Sequence, residues 1–432
     1  MTAGWRSDVD RRTGPGSEAT VKLGIDFGTT NSAVAVVQSD GRPKILELAP
    51  GERVQRTVIY GSPDGRVSYG NAAFRSYVDN DLEGRFLRSI KAFLPQDVPK
   101  TTLCGRKVSF PELITSYLRF LMDRVEAMLD EPVTEVTVGR PVRFHEDPER
   151  DRVAVARLSE AVEAAGIRHW KLQLEPVGAA FLYEQELTRE RLVLVGDFGG
   201  GTSDFAILRV GPGRTGDRLR DVLATSGVAK AGDVLDGRFL DVFLLDAFGR
   251  GALVTPRYQE RSTPWEHSIH RQIQRLYYIH QLRTDELAVQ LDYVETRIDD
   301  VAAVRRLRRL VFDDLGYPMA WAVEASKRAL SASPRAPFVF DEFHTPELDL
   351  RREVSLDTYA DGCVAVLGEY QAAVDEALAQ ASLSDTAIDE VFLTGGSAQL
   401  PFIQELFARR FGADKLRSAD AFTSVCEGLA LC

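Results

Sequence analysis

Two short stretches of this 432-residue chain place a carboxylate, glycine and hydroxyl residues in the same order. The first is Asp26-Phe27-Gly28-Thr29-Thr30-Asn31-Ser32. The second, 171 residues later, is Asp197-Phe198-Gly199-Gly200-Gly201-Thr202-Ser203-Asp204. A glycine turn lets backbone N–H groups approach an oxyanion without side-chain crowding, and an aspartate at the strand end before it can face a cation. The chemistry called for is a phosphate with a metal beside it. Mg²⁺ keeps several waters and takes few direct protein ligands, so Asp26 and Asp197 suffice to hold its water shell from opposite sides. One such turn alone is an ordinary glycine turn. Two matching turns, each with Asp before Gly, point to a pair of loops on either side of a phosphate chain. The chain has neither a GxxxxGK[ST] loop nor a strand-linked GxGxxG, so the two commonest phosphate-binding folds are not supported.

Two further groups bear on a ligand. Gly395-Gly396-Ser397 follows an apolar strand and precedes a helix, exposing backbone that can pass under a ribose or purine. Glu324, Lys327, Arg328 and Ser331 are spaced to share one helix face; by itself such a face reads as solvated. Among the six histidines, His267, His270 and His280 lie in a helical stretch without supporting Cys or carboxylates, so they read as helix positions and not as a metal site.

The elements that must position these groups follow from periodicity. Val21, Leu23 and Ile25 alternate into the first turn and Ala33–Val37 resume the alternation beyond it, as in a hairpin. Leu192–Val195 lead into the second hairpin in the same way. Helical spacing runs from Pro111 to Met128, and again over about 148–165, closed by Gly166. Strands are expected over Val133–Arg140, Lys171–Leu174 and Glu390–Thr394, and helices over 178–186 and 356–381. Strands over about 337–343 and 347–354 come between. From Leu287 to Leu307 apolar residues recur every three or four positions, predicting one long amphipathic helix, preceded by another over about 265–283. This segment, about 257–320, reads as a helical elaboration of the second half, packed against it or serving as an arm for a protein partner. A repeat at 171 residues implies two related lobes and not a short-period solenoid.

Composition sets the class. With 44% hydrophobic and 27% charged residues the chain is an ordinary globular one. A net charge of −11 argues against a general nucleic-acid binder. Four scattered cysteines without CxxC spacing fit a reducing compartment, the first twenty residues are polar, and no run approaches a membrane helix. The expectation is a cytoplasmic protein with a disordered tail over 1–20, no membrane contact and no nucleic-acid partner.

Taken together, DFGTTNS, DFGGGTSD, EASKRALS and LTGGSAQLP, in that order, resemble the ATPase domain of the seventy-kilodalton heat-shock proteins, the DnaK-type chaperones, over about residues 21–432. Leu174–Ala180 is similar to that family's NEPTAAA segment and Val138–Phe144 to its VPAYF segment. The resemblance implies an α/β, actin-like ATPase fold with ribonuclease-H-like duplicated lobes and a helical insertion in lobe II. It implies lobe I over 21–190, lobe II over 191–419 with the insert at about 257–320, and a return helix over 420–432 packing on lobe I. It implies ATP/ADP and Mg²⁺ as ligands. Gly28, Thr29, Thr30 and Asn31 would be the first phosphate loop; Gly199, Gly200, Gly201 and Thr202 the second. Asp26 and Asp197 would hold hydrated Mg²⁺, and Glu324, Lys327, Arg328 and Ser331 would clasp adenine and ribose with Gly395, Gly396 and Ser397 opposite. Glu175, Asp197 and Thr202 would form the catalytic set, with Glu175 positioning or deprotonating the attacking water, and Pro141 would be the switch proline.

Three departures separate the chain from that family. Phe74 stands where a GxxAK lysine is expected, Gln399 stands where an adenine-stacking arginine is expected, and the sequence reaches Cys432 where the family's linker and peptide-binding domain would begin. The function implied is an ATP-binding, chaperone-like conformational switch with slow or impaired hydrolysis. The alternatives are a small-molecule kinase of the same superfamily and a non-enzymatic nucleotide-binding scaffold or filament protein.

Overall fold

Each glycine turn closes the hairpin at the centre of a sheet, and the two sheets are wired alike. In the computed structural model, residues 21–432 are described apart from 39, 98–99, 130–132, 134, 214–217, 259, 266–267, 342–347 and 419–422. The tail expected over 1–20 and His267 lie outside the described residues. The first sheet runs Pro43–Ile45, Asn31–Val37, Lys22–Phe27, Glu135–Arg140, His169–Leu174; Gln55–Arg56 also pairs with Asn31–Val37. The second runs Val222–Val228, Ser203–Val210, Arg191–Phe198, Glu390–Thr394, Leu416–Ser418. In both, the first three strands are antiparallel neighbours and the last two join the hairpin's leading strand in parallel. This duplicated α/β architecture is the actin-like ATPase fold that the sequence resemblance implies.

The parallel strands need crossover helices, and the sequence supplies them. Phe110–Leu129 buries Leu113, Ile114, Tyr117, Leu118, Leu121 and Val125, the stripe read from the sequence. Pro148–Ala164 begins at Asp147, whose side chain accepts from the Glu149 amide, with proline in the first turn. Glu175–Glu184 starts at the end of strand His169–Leu174.

The C-terminal helix Ser424–Ala430 joins the two halves of this arrangement. Gly24 in the first sheet lies so close to it that a Cβ would meet Cys426 O and the Ala430 amide. Gly428 lies against Gly178 of Glu175–Glu184, where a Cβ would collide with the Gly178 carbonyl. Its Val425 and Leu429 enter the core with Val177, Ala180, Val193, Val195 and Phe392 of the second sheet and its helix.

By packing, the chain divides into two compact units. One comprises residues up to Ala229 with Tyr370–Ala398 and Glu405–Cys432; the other comprises Lys230–Glu369 with Gln399–Gln404. Both sheets belong to the first unit, so the lobe boundary at residue 190 stays a proposal resting on topology. The second unit holds Gly232–Phe243, Gly316–Leu330, the strand pair Arg335–Phe340 and Leu350–Ser355, and the helical insert.

The insert corrects one expectation. The long helix predicted through Leu287–Leu307 is two helices, Asp285–Glu295 and Val301–Phe312, and the one before it is the short Ser268–Gln272 followed by a 3₁₀ turn, Leu276–Leu282. The break has a local cause. Ile298 bridges to Val254, the Asp299 amide donates to Leu253 O, and the Thr255 amide donates to Arg297 O. Asp300 then caps the second helix by accepting from the Ala303 amide. Apolar periodicity continues across a break in the backbone, so the pattern alone hides it.

The Gly178–Gly428 crossing gives the first prediction. Gly428→Ala forces two helix backbones apart and should lower stability by about 1–3 kcal/mol, read as a fall in the thermal unfolding midpoint. A midpoint equal to that of the parent chain would count against this crossing.

Candidate active site

The two turns have the same internal geometry. The Gly28 amide donates to Asn31 O at 3.0 Å, and the Gly199 amide donates to Thr202 O at 3.0 Å. They also pack on each other: a Cβ on Gly200 would collide with Thr30 Oγ1, and one on Gly201 would lie 3.1 Å from Thr29 Oγ1. Among the described residues the amides of Thr29, Thr30, Gly200 and Gly201 meet no hydrogen-bond acceptor. Four uncommitted backbone donors in two abutting turns are a donor set of the kind that binds an anion.

The first turn is held from behind. The Thr57 amide donates to Thr30 O at 2.8 Å, Ser32 and Thr57 share a hydroxyl contact at 2.7 Å, and Tyr117 Oη donates to Arg56 O at 2.8 Å. Gly395 supports the second. It adopts φ +89°, and its backbone lies so close to Phe198 that a Cβ would strike Phe198 O. Any side chain there would be strained and would displace the residue preceding Gly199.

Beside the turns stands a cluster of carboxylates. Asp26 and Asp197 occupy the equivalent position of each hairpin, paired with Ala33 and Asp204 across the strands. Asp204 is buried and accepts from the Val142 amide at 2.7 Å. Glu175 is the first residue of its helix and is buried, with room made by Gly139, where a Cβ would lie 3.0 Å from Glu175 Cγ. Its Oε1 accepts from Lys91 Nζ at 2.6 Å.

Crowding shows in the electrostatics. Burial, then the charge of Glu175, pushes Asp26 up from 3.8 to about 7, against the pull of Lys91. Burial, then Glu175, Asp26 and Asp204, pushes Asp197 well above the usual carboxylate range. Burial and Glu175 raise Asp204 to about 7, although the Thr202 hydroxyl and the amides of Val142 and Arg143 oppose the rise. Like charges in a desolvated space resist ionising together, and a divalent cation relieves that repulsion. No group of three or more His, Cys, Asp or Glu among the described residues is gathered as a metal cage. Two carboxylates are a protein donor set of the kind hydrated Mg²⁺ takes.

The remaining expected residues fall in two places. Gly396 and Ser397 follow Gly395 in the first unit, and Ser397 is buried. Glu324, Lys327 and Arg328 lie on the helix Gly316–Leu330 of the second unit, which Ser331 ends. Lys327 is not a solvated residue: its Nζ pairs with Asp236 at 2.6 Å, and Tyr277 Oη donates to the other Asp236 oxygen at 2.5 Å. Phe74 lies beneath the Arg56 guanidinium, 4.9 Å from its ring centre.

The sequence sets Lys91 against a family lysine other than the one missing at Phe74 without making it a site residue; the structure places its Nζ 2.6 Å from Glu175 Oε1. The available signal was a lysine between apolar neighbours, Phe86-Leu87 before it and Phe93-Leu94 after it, in a segment that is buried nearly throughout. Asp204 carried a signal too, as the one titratable residue by which the second turn differs from Ala33 of the first.

A family model described as Hsp70 protein matches residues 22–261 and 317–432, leaving 262–316 between the matched segments.

The carboxylate cluster predicts an unusual pH dependence for the ligand-free protein. A carboxyl whose folded value lies near 7 against 3.8 binds protons more tightly folded than unfolded between those values. Stability should therefore fall as pH rises from about 4 to about 7. Thermal melts across that range should show this slope, and Asp204→Asn, which keeps the acceptor for Val142 and removes the charge, should flatten it.

Proposed function

The chain belongs to the Hsp70 protein family, and on that footing we propose that it is a Mg²⁺-dependent ATP-binding switch that hydrolyses ATP slowly. Family membership supports a nucleotide-binding, chaperone-like ATPase. The observation that carries the finer reading is the pair of abutting turns with four uncommitted amides beside Asp26, Asp197 and the Lys91–Glu175 pair.

In this reading the turn amides cradle the phosphate chain, and Asp26 and Asp197 hold the water shell of Mg²⁺. The metal, when bound, neutralises phosphate charge. Glu175 accepts a proton from the attacking water. The water oxygen forms its bond to the terminal phosphorus as the bridging P–O bond breaks, and that electron pair leaves on the terminal oxygen of ADP. The nucleoside is the role the family resemblance gives to Glu324, Lys327, Arg328 and Ser331 of the second unit and, separately, to Gly395–Ser397 of the first. With Lys327 already bound to Asp236, its part is to hold the helix that presents Glu324 and Arg328, while its ammonium stays with the carboxylate.

The segment after Pro141 suits a relay of nucleotide state. Val142 is tied to Asp204 in the second hairpin, and Arg143 pairs with Glu376 at 2.6 Å. A change at the turn bearing Thr202 acts on Asp204 and through it on the Pro141 strand end.

The kinase alternative needs a carboxylate free to accept a proton from a substrate hydroxyl. Asp204, the residue open to that role, is 1% exposed and committed to Val142. The scaffold alternative has one observation in its favour: the insert, unmatched by the family model between 262 and 316, exposes Val289 and Tyr293, the Tyr293 hydroxyl accepts from the Arg257 amide, and the adjoining Tyr258 is 92% exposed. We read that face as a protein-partner surface added to the switch. Free thiols at all four cysteines support a cytoplasmic setting.

Two outcomes are expected. Glu175→Ala should retain Mg²⁺-ATP binding by calorimetry and slow single-turnover hydrolysis by about 10²–10⁴-fold; absence of nucleotide binding by the parent chain would remove the reading. Replacing Tyr258 and Val289 by serine should leave both binding and hydrolysis as in the parent chain, because those side chains lie on the insert.

A further inference from the structure

The register of the first sheet puts an arginine on the face that carries the first aspartate. Asp26 pairs with Ala33, and Ala33 lies two residues from Asn31 on the same strand, so the three side chains leave one face of the sheet. Asn31 pairs in turn with Arg56 of the short strand Gln55–Arg56, which brings Arg56 onto that face beside the first glycine turn. Ser32 and Thr57 leave from the other face, where their hydroxyls meet at 2.7 Å.

One helix holds both the main chain and the side chain of Arg56. Its amide donates to Asn71 Oδ1 at 3.0 Å, and its guanidinium lies over the ring of Phe74, 4.9 Å from the ring centre. Asn71 and Phe74 stand three residues apart on the helix Gly70–Asp79, on neighbouring positions of its surface. Phe74 is the residue that stands where the family resemblance expects a lysine. A ring cannot supply that charge, but it is a shelf on which a planar cation stacks. A guanidinium stays protonated and presents a fork of N–H donors that matches the oxygens of a phosphate. Residues directly opposite in a ladder have Cβ atoms about 4.5–5.5 Å apart. An oxygen bound by the amides of Thr29 and Thr30, just before Asn31, is therefore within the length of an arginine side chain at position 56.

We propose that Arg56 is a catalytic residue that replaces the lysine missing at Phe74: the Phe74 ring holds its guanidinium beside the first turn, where its N–H groups donate to oxygens of the terminal phosphate. The cation has moved from the helix to the neighbouring strand. The assignment rests on the Mg²⁺-ATP reading above. Arg56 neither gives nor takes a proton. Water loses its proton to Glu175, the new P–O bond forms, the bridging bond breaks with its electron pair on ADP, and the guanidinium offsets charge on the phosphoryl oxygens throughout. A preorganised contact of this kind typically changes rate by about 10²–10³-fold.

The test compares the parent chain with Arg56→Gln, with Phe74→Leu, and with Arg56→Gln combined with Phe74→Lys, by calorimetry with ATP and ADP in the presence of Mg²⁺ and by single-turnover hydrolysis. Arg56→Gln should weaken ATP at least about tenfold more than ADP and slow hydrolysis by about 10²–10³-fold. Adding Phe74→Lys returns a cation to the helix and should recover part of both. A purely structural role for Arg56 predicts equal loss of ATP and ADP affinity and no recovery from that second change. Equal losses, hydrolysis by Arg56→Gln at the parental rate, or a double variant no better than Arg56→Gln alone overturn the assignment while leaving the nucleotide reading intact. A parent chain that binds neither nucleotide overturns both. If Arg56→Gln fails to fold, as its melt would show, Phe74→Leu decides, because it keeps the arginine and removes its shelf: a reduced preference for ATP over ADP with slower hydrolysis supports the assignment, and parental values of both overturn it.

Discussion

Negative charge held in too little space is the constraint on which the rest of the site depends. Asp26, Asp197 and Asp204 crowd around Glu175, and the first three are pushed toward neutrality by burial and mutual repulsion. Evolutionarily inert clusters of that sort would be exchanged for apolar residues at little cost to stability. The cluster makes physical sense when positive charge enters it, permanently from Lys91 and reversibly from a hydrated dication. Excess negative charge of this kind gives a site affinity for a cation.

Positioning that cluster sets demands on the backbone at some distance. Glu175 reaches the site only because its helix begins where strand His169–Leu174 ends and because Gly139 leaves space beside it. The same helix presses Gly178 against Gly428, and the helix bearing Gly428 presses against Gly24, two residues before Asp26. A chain of close backbone approaches therefore connects Glu175 to Asp26. Side chains larger than hydrogen along that path would shift one relative to the other, and a displacement of about 1 Å is enough to lose much of a positioned group's contribution.

Much of this was legible in the sequence, and the limits are physical. Both hairpins, their turns, the strand Glu390–Thr394 and the helix Leu356–Ala381 follow from local alternation and spacing, which report the backbone directly. The duplication was legible because Asp-Phe-Gly recurs. The break at Thr296–Asp300 was not, since it arises from pairing with Val254, more than forty residues away, while the apolar stripe continues past it. Lys91 escaped for a similar reason. Its burial depends on a left-handed Ser89 and on Glu175, and neither is marked in the residues that flank it. The resemblance touched both positions, Phe74 where a lysine is missing and Lys91 which matches another family lysine, but gave no ground in the flanking residues for placing Lys91 in the site.

The duplication is exact in wiring and broken in chemistry, and the break is informative. Ala33 and Asp204 occupy equivalent positions opposite Asp26 and Asp197. Behind Asp26 the methyl group of Ala33 enters the core with Ala35 and Cys426. Behind Asp197 the carboxyl of Asp204 instead reaches out to the backbone beyond Pro141. Two identical half-sites would grip a phosphate chain symmetrically and transmit nothing. Placing a charge on one side alone ties the second hairpin to a neighbouring strand end through the Val142 amide, where the first hairpin has the methyl group of Ala33. The proposed switch rests on this asymmetry laid over a repeated frame.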